Sequence, residues 1–321
     1  MLLEVLQREL LFVGGKGGVG KTSLSSALAL ARARTGARVL VVSTDPAHSL
    51  GHLWRRAIGD EIVALARFPG GGLLDGVEID PAATVDRHLA AVQQTMLRLL
   101  PEVQHGAARA HLERARSAPG SHEAAVLERI AELAERGRRD YDLVVFDTAP
   151  SGHTLRLLAL PGQLAGWTES LLRNRDRSER YAAAMRGLTG RADAQAESEA
   201  TLRRTLERRR ARFDALGTAL SDAARTGFVV ALVAEALPVA ETLDVVDVLR
   251  SLHVDVAALI ANRRSPADAG ELLRARRADE DAQLERVRAH VPGTPVIEVP
   301  LIPGELTGQD ALEQFADLLG C

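Results

Sequence analysis

Residues 15–22 read Gly-Lys-Gly-Gly-Val-Gly-Lys-Thr, one glycine after the apolar run Leu10-Leu11-Phe12-Val13 and directly before Ser23-Leu24-Ser25-Ser26-Ala27-Leu28-Ala29-Leu30-Ala31. A stretch so rich in glycine continues neither a strand nor a helix, so the chain must turn there, between a buried strand and a helix N-terminus. Lysine usage narrows the reading. The chain holds two lysines, Lys16 and Lys21, both inside this run, while the other 38 basic residues are arginine. Arginine replaces lysine wherever a solvated positive charge suffices, and fails where a compact ammonium must point at one oxygen inside a tight loop.

The run fits the Gly-x-x-x-x-Gly-Lys-Thr phosphate loop. In such a loop the amides along Gly15, Lys16, Gly17, Gly18, Val19, Gly20, Lys21, Thr22 and Ser23 face the α- and β-phosphates. Lys21 reaches the β/γ oxygens, and Thr22 offers its hydroxyl to Mg²⁺. The helix that follows adds its dipole to the anion site. The expected ligands are ATP and Mg²⁺.

Further apolar, strand-like runs occur at residues 38–43, 77–79, 143–146, 228–234, 256–261 and 296–299, and helix-length segments separate most of them. That alternation predicts an α/β fold with a doubly wound, mostly parallel sheet. Two stretches, about 81–139 and 164–225, interrupt the rhythm with apolar residues at helical spacing: Leu89, Val92, Met96 and Leu100 in the first, Leu202, Leu206, Phe213, Leu216 and Leu220 in the second. They are expected as a helical layer inserted near the nucleotide end of one domain covering 1–321.

Net charge of −3, with arginines interleaved among acids, argues against a nucleic-acid partner. One cysteine, Cys321, excludes a Cys-x-x-Cys zinc or iron–sulfur site on a single chain. The first residues carry Glu4 where a secretion signal wants positive charge, and no apolar run approaches the roughly 20 residues that span a bilayer. These features predict a cytoplasmic protein without structural zinc.

Loops after the strands carry the remaining candidates. Asp45, in Thr44-Asp45-Pro46-Ala47-His48-Ser49, stands where an acid can orient and polarise a water in line with the γ-phosphate. Asp147 ends the run Leu143-Val144-Val145-Phe146, the Walker B arrangement that holds Mg²⁺ directly or through water. Gly152 and His153 follow, in a loop placed to respond to the γ-phosphate. Asn262 has a donor and an acceptor to offer the adenine edge, and the loop containing Pro303 an apolar wall for the base.

Taken in order, these blocks resemble the ArsA/Get ATPases of the deviant-Walker P-loop class: residues 15–22, 43–48, Glu78-Ile79-Asp80-Pro81, 147–156, Asn262, and Pro300-Leu301-Ile302-Pro303. The resemblance spans nearly the whole chain. It implies that Lys16 is the signature lysine reaching the nucleotide of a second subunit, that Asp45 sits in switch I and Asp147 opens switch II, and that the chain works as a homodimer. The catalytic set so implied is Asp45, Lys16 and Lys21, with Thr22, Asp45 and Asp147 about the metal.

Two features depart from relatives of this type. Arsenite sites need soft thiolates, which Cys321 alone does not supply. Members that deliver tail-anchored membrane proteins carry a zinc clasp and a Met-rich groove, whereas this chain has no cysteine pair and three methionines. The leading expectation is therefore an ATP-hydrolysing homodimer that couples nucleotide state to an unidentified client or membrane partner. The alternatives are the soluble driver of an anion or metalloid pump, and a ParA/MinD-like positioning switch, against which the acidic C-terminal amphipathic segment 310–319 counts.

Overall fold

The computed structural model describes residues 2–45, 49–99, 105–116, 121–148 and 193–320. Among them, β1 (Leu10–Gly15), β2 (Arg38–Ser43), β3 (Val63–Arg67), β4 (Leu73–Glu78), β5 (Leu143–Asp147), β6 (Thr226–Leu232), β7 (Val256–Arg264) and β8 (Val296–Pro300) form one sheet. Its order is β3-β4-β2-β5-β1-β6-β7-β8. Every pairing is parallel except that of β3 with β4. The helices are α1 (Leu2–Val5), α2 (Lys21–Arg34), α3 (Ser49–Trp54), α4 (Pro81–Leu99), α5 (His105–Arg116), α6 (Ser121–Asp140), α7 (Asp193–Leu220), α8 (Ala236–Ser251), α9 (Glu271–His290) and α10 (Gln309–Leu318). This is the doubly wound α/β architecture that the alternating pattern predicts.

The central strands β1, β5 and β6 are buried along their whole length. Covered on both faces, they read as unbroken apolar runs rather than alternating ones. The edge reads less clearly. The apolar run at 77–79 is only the tail of β4, which begins at Leu73, and β3 has no counterpart among the expected strands. Asp75 and Gly76 hide β4 in the sequence, yet a Cβ on Gly76 would lie 2.6 Å from Leu65 Cδ1 of β3. Glycine there is what lets the antiparallel edge strand pack.

The described residues within Met1–Asp80, Leu133–Leu158 and Thr218–Cys321 cluster into one compact unit, those within Pro81–Glu132 and Ala159–Gly217 into a second. In the first, α2 is buried on nearly every side. Helix α10 packs against it and contributes Leu312, Phe315 and Ala316 to the same core. The amphipathic C-terminal segment thus spends its apolar face on the protein interior. In the second unit, Arg116 pairs with Asp86 at 2.7 Å and Arg209 with Glu128 at 2.8 Å, which ties α5 to α4 and α7 to α6. Phe213 and Leu216 of the expected α7 stripe are buried; Leu100 lies outside the described residues. No helix of the described residues is long and apolar enough to cross a membrane.

Candidate active site

Because the strands that carry the candidates are parallel, the carboxyl ends of β1, β2, β4, β5 and β7 open on one edge of the sheet, where ligands of such folds bind. At the end of β1, Gly15 has φ 147° and a Cβ there would run into the carbonyl oxygen of Ala231 on β6. Gly20 has φ 94°, and a Cβ there would run into the Asn262 amide. Both loop positions therefore admit glycine alone. Among the described residues no side chain caps the N-terminus of α2, which leaves its first-turn amides to an anion.

Lys21 opens that helix, buried, with its amine 3.1 Å from the carbonyl oxygen of Lys16. Burial lowers its pKa, against the opposing charges of Asp147 and Asp45. Lys16 points out of the loop and pairs with Glu241 of α8 at 2.8 Å, both side chains more than a third exposed (37% and 39%).

Asp147 is fully buried at the end of β5. One carboxylate oxygen accepts from Ser25 Oγ at 3.3 Å, while Oδ2 finds no hydrogen-bond partner among the described residues. Burial pushes its pKa up to about 7; the Thr22 hydroxyl and the Lys21 charge oppose that rise, Asp45 adds to it, and Ser25 relieves part of it. A buried, half-satisfied carboxylate beside a threonine hydroxyl is an unstable arrangement by itself and a fitting one for a hard dication. Thr22, Asp45 and Asp147 thus match the donor set Mg²⁺ takes, a hydroxyl and one or two carboxylates completed by water and phosphate oxygens.

The neighbouring strand ends hold Asp147 in register. Thr44 donates its amide to Asp147 O at 2.9 Å, and Thr148 donates its amide and hydroxyl to Val13 O at 3.1 and 2.8 Å. Asp45 follows Thr44 and donates its amide to Ser43 Oγ at 3.3 Å. Residues 46–48 and 149–192, including Gly152 and His153, lie outside the described residues.

Three side chains at this edge carry no role in the sequence reading. Ser25 hydrogen-bonds Asp147, and Ser49 Oγ sits 3.1 Å from Thr22 Oγ1. Glu78, 2% exposed, accepts from the amides of Leu50 at 2.8 Å and Gly51 at 3.3 Å, fixing the start of α3 just after the Asp45 loop. Ser25 had one legible signal, since it lies one helical turn after Lys21 on the same face.

Asn262 is already tied to the phosphate loop. Its Nδ2 donates to Val19 O of the phosphate loop at 2.8 Å, and its Oδ1 accepts from the Arg263 amide at 2.9 Å. One hydrogen and one lone pair remain for a ligand. It borders a pocket of about 390 Å³ walled by Gly20, Arg263, Pro300, Leu301, Ile302 and Leu306, among others, within the size range of small-ligand sites. Pro303 belongs to that loop, while its neighbours Ile302 and Gly304 make the lining.

Comparison with known proteins points to one family. The family model described as anion-transporting ATPase (ArsA type) matches residues 8–320. The chain is 30% identical to "ATPase ASNA1 homolog 2" of Paramecium tetraurelia over 325 residues, 99% of this chain and 95% of that protein. It is 32% identical to "ATPase get3" of Aspergillus terreus over 320 residues, covering 96% and 89% of the two, and 30% identical to "ATPase GET3" of Malassezia globosa, covering 99% and 92%. With the fold, the phosphate loop and these relatives in agreement over nearly its full length, the chain is an ATPase and belongs to the ArsA family.

Proposed function

We propose that this ATPase is Mg²⁺-dependent, acts in the cytoplasm as a homodimer, and uses hydrolysis to switch its grip on a client protein or membrane partner. The observation that carries the metal dependence is the buried Asp147 Oδ2, without a hydrogen-bond partner among the described residues, next to Thr22 and within the reach of the Lys21 and Asp45 charges.

In this reading the amides of residues 15–23 hold the phosphates and Lys21 neutralises charge on the β/γ oxygens. Displacing the Lys21 amine from Lys16 O exchanges a hydrogen bond to a neutral acceptor for one to an ionised phosphate oxygen. Thr22, Asp45 and Asp147 would hold Mg²⁺, which supplies Lewis-acid stabilisation of the phosphoryl oxygens. Asp45 orients and polarises the attacking water. The base occupies the pocket behind Asn262.

Lys16 contributes to the second subunit's nucleotide. Its pairing with Glu241 is half-exposed and worth about 0–1 kcal/mol, so the side chain is free to leave when a phosphate is offered. The client is left to chemistry the chain does have: with one cysteine it offers no cluster of thiolates for a soft metalloid centre, and a protein partner suits it better.

The test is hydrolysis and light scattering on one preparation. ATP with Mg²⁺ should give phosphate release and a doubled mass, and chelating the metal should abolish turnover. Full-rate hydrolysis by a strictly monomeric chain, with ATP and with a non-hydrolysable analogue, would overturn the dimer.

A further inference from the structure

At the far side of the base pocket lies a cluster of charges that the mechanism does not use. Strand β7 pairs with β8 regularly as far as Ala261 opposite Glu298, then slips before Arg264 meets Pro300. Within the slip Arg263 adopts φ 60°, a left-handed conformation seldom taken by a residue with a side chain. Irregularities of this kind re-aim side chains beside functional sites. Here Asn262 turns to Val19 of the phosphate loop, Arg263 to the pocket, and Arg264 inward, where it is 1% exposed.

Each nitrogen of the Arg264 guanidinium donates to a carboxylate. Its Nη1 donates to Glu280 at 2.6 Å, its Nε to Glu298 at 2.8 Å, and its Nη2 to Asp281. Glu280, itself 3% exposed, also accepts from the Ser265 hydroxyl at 2.7 Å and amide at 3.0 Å. Glu298 receives Arg277 at 3.0 Å and Arg288 at 2.8 Å. The Arg264 carbonyl accepts from Leu301 N at 2.9 Å, which anchors the loop that walls the pocket. Arg264 therefore joins β7, β8 and α9 at the point where two of them deliver pocket residues.

Burying such charges costs several kcal/mol per ion, and an apolar plug of equal volume is often as stable or more so. Stability alone does not account for the cluster, whereas geometry does. A planar guanidinium holding three carboxylates fixes direction as well as distance, and an apolar plug fixes neither.

We propose that Arg264 is a positioning residue for nucleotide-base binding: clamped by Glu280, Asp281 and Glu298, it holds the β7 irregularity that sets Asn262, Arg263 and Leu301 around the base. The proposal rests on the nucleotide reading of the pocket. It predicts a specific split between ligands. ATP uses both the phosphate loop and the base pocket, and inorganic tripolyphosphate uses the loop alone.

The experiment measures the affinity of the full chain for Mg·ATP and Mg·tripolyphosphate, with melting temperature as a check on folding. In Arg264→Lys, whose ammonium cannot fork onto three carboxylates, ATP should weaken about tenfold, tripolyphosphate should stay within about twofold, and KM should rise more than kcat falls. Glu298→Gln, at a 30%-exposed position, should shift the same ratio in the same direction by less. It decides the matter if Arg264→Lys does not fold. An unchanged ATP-to-tripolyphosphate ratio in the folded variants would overturn the positioning role. Equal affinity of the unsubstituted chain for the two ligands would remove the base site itself, and the proposal with it.

Discussion

Asp147 and Arg264 are both buried charges at the carboxyl ends of sheet strands, and they are satisfied in opposite ways. Asp147 keeps one oxygen without a partner among the described residues and is driven toward its protonated form. Arg264 spends its guanidinium on three carboxylates. Burial raises the pKa of Glu280 and of Glu298, but for Glu280 the Ser265 hydrogen bonds and the Arg264 charge, and for Glu298 chiefly Arg264, outweigh it and leave both below the ordinary range. A buried charge left short of partners marks where a ligand must enter, and one held at every nitrogen marks what keeps the ligand's surroundings still.

The largest effects belong to the unsatisfied side. Lys21→Arg keeps the charge and should still lower hydrolysis by about 10²-fold or more, the scale of losing one preorganised oxyanion contact. Near-normal steady-state turnover would show that the loop needs only a cation. Asp45→Asn keeps an oxygen for the metal and loses the carboxylate that polarises water, so it should slow hydrolysis by roughly 10²–10⁴-fold while leaving Mg·ATP binding largely intact. Loss of binding with normal turnover of whatever ATP remains bound would make Asp45 structural. Lys16→Ala should weaken ATP-dependent dimerisation and turnover together and spare nucleotide binding by the monomer, read by scattering and by equilibrium binding.

Smaller effects set the two sides directly against each other through pH. The folded pKa of Asp147 is raised, so the folded state binds the extra proton, and stability is lost as pH rises through about 7. Without metal, Asp147→Asn should therefore melt higher than the parent above pH 7, with the difference shrinking toward pH 4. Glu298 has a lowered folded pKa, so its contribution is present above its unfolded value and lost as pH falls through the folded one. Glu298→Gln should melt modestly lower at neutral pH, and that deficit should close in acid. Melting curves in which both substitutions shift stability with the same sign at pH 8 would erase the distinction.

Much of the phosphate end could be read residue by residue. Glycines, the two lysines and Asp147 stand in consecutive blocks whose chemistry depends on local spacing, and strand–turn–helix order fixes where they point. The base end could not be read so. Arg264, Glu280 and Glu298 are separated by 16 and 18 residues and look like any of the chain's many arginines and acids. Glu78 was visible as part of a shared block, but its service to the Leu50 and Gly51 amides depends on β4 lying beside β2.

Local pattern was enough for the sheet's parallel core, because strands covered on both faces must be apolar throughout and the connecting helices must fit between them. It also sufficed for the phosphate loop, where positive φ and a missing Cβ leave glycine no substitute. Long-range contact decided the remainder. Strand β3 became visible only once Leu65 met Gly76, Asn262 turned to Val19 once β7 slipped against β8, and Arg264 became a clamp once α9 crossed it. Such partners are chosen by packing and by the need to satisfy every buried charge, and neither leaves a periodic trace along the chain.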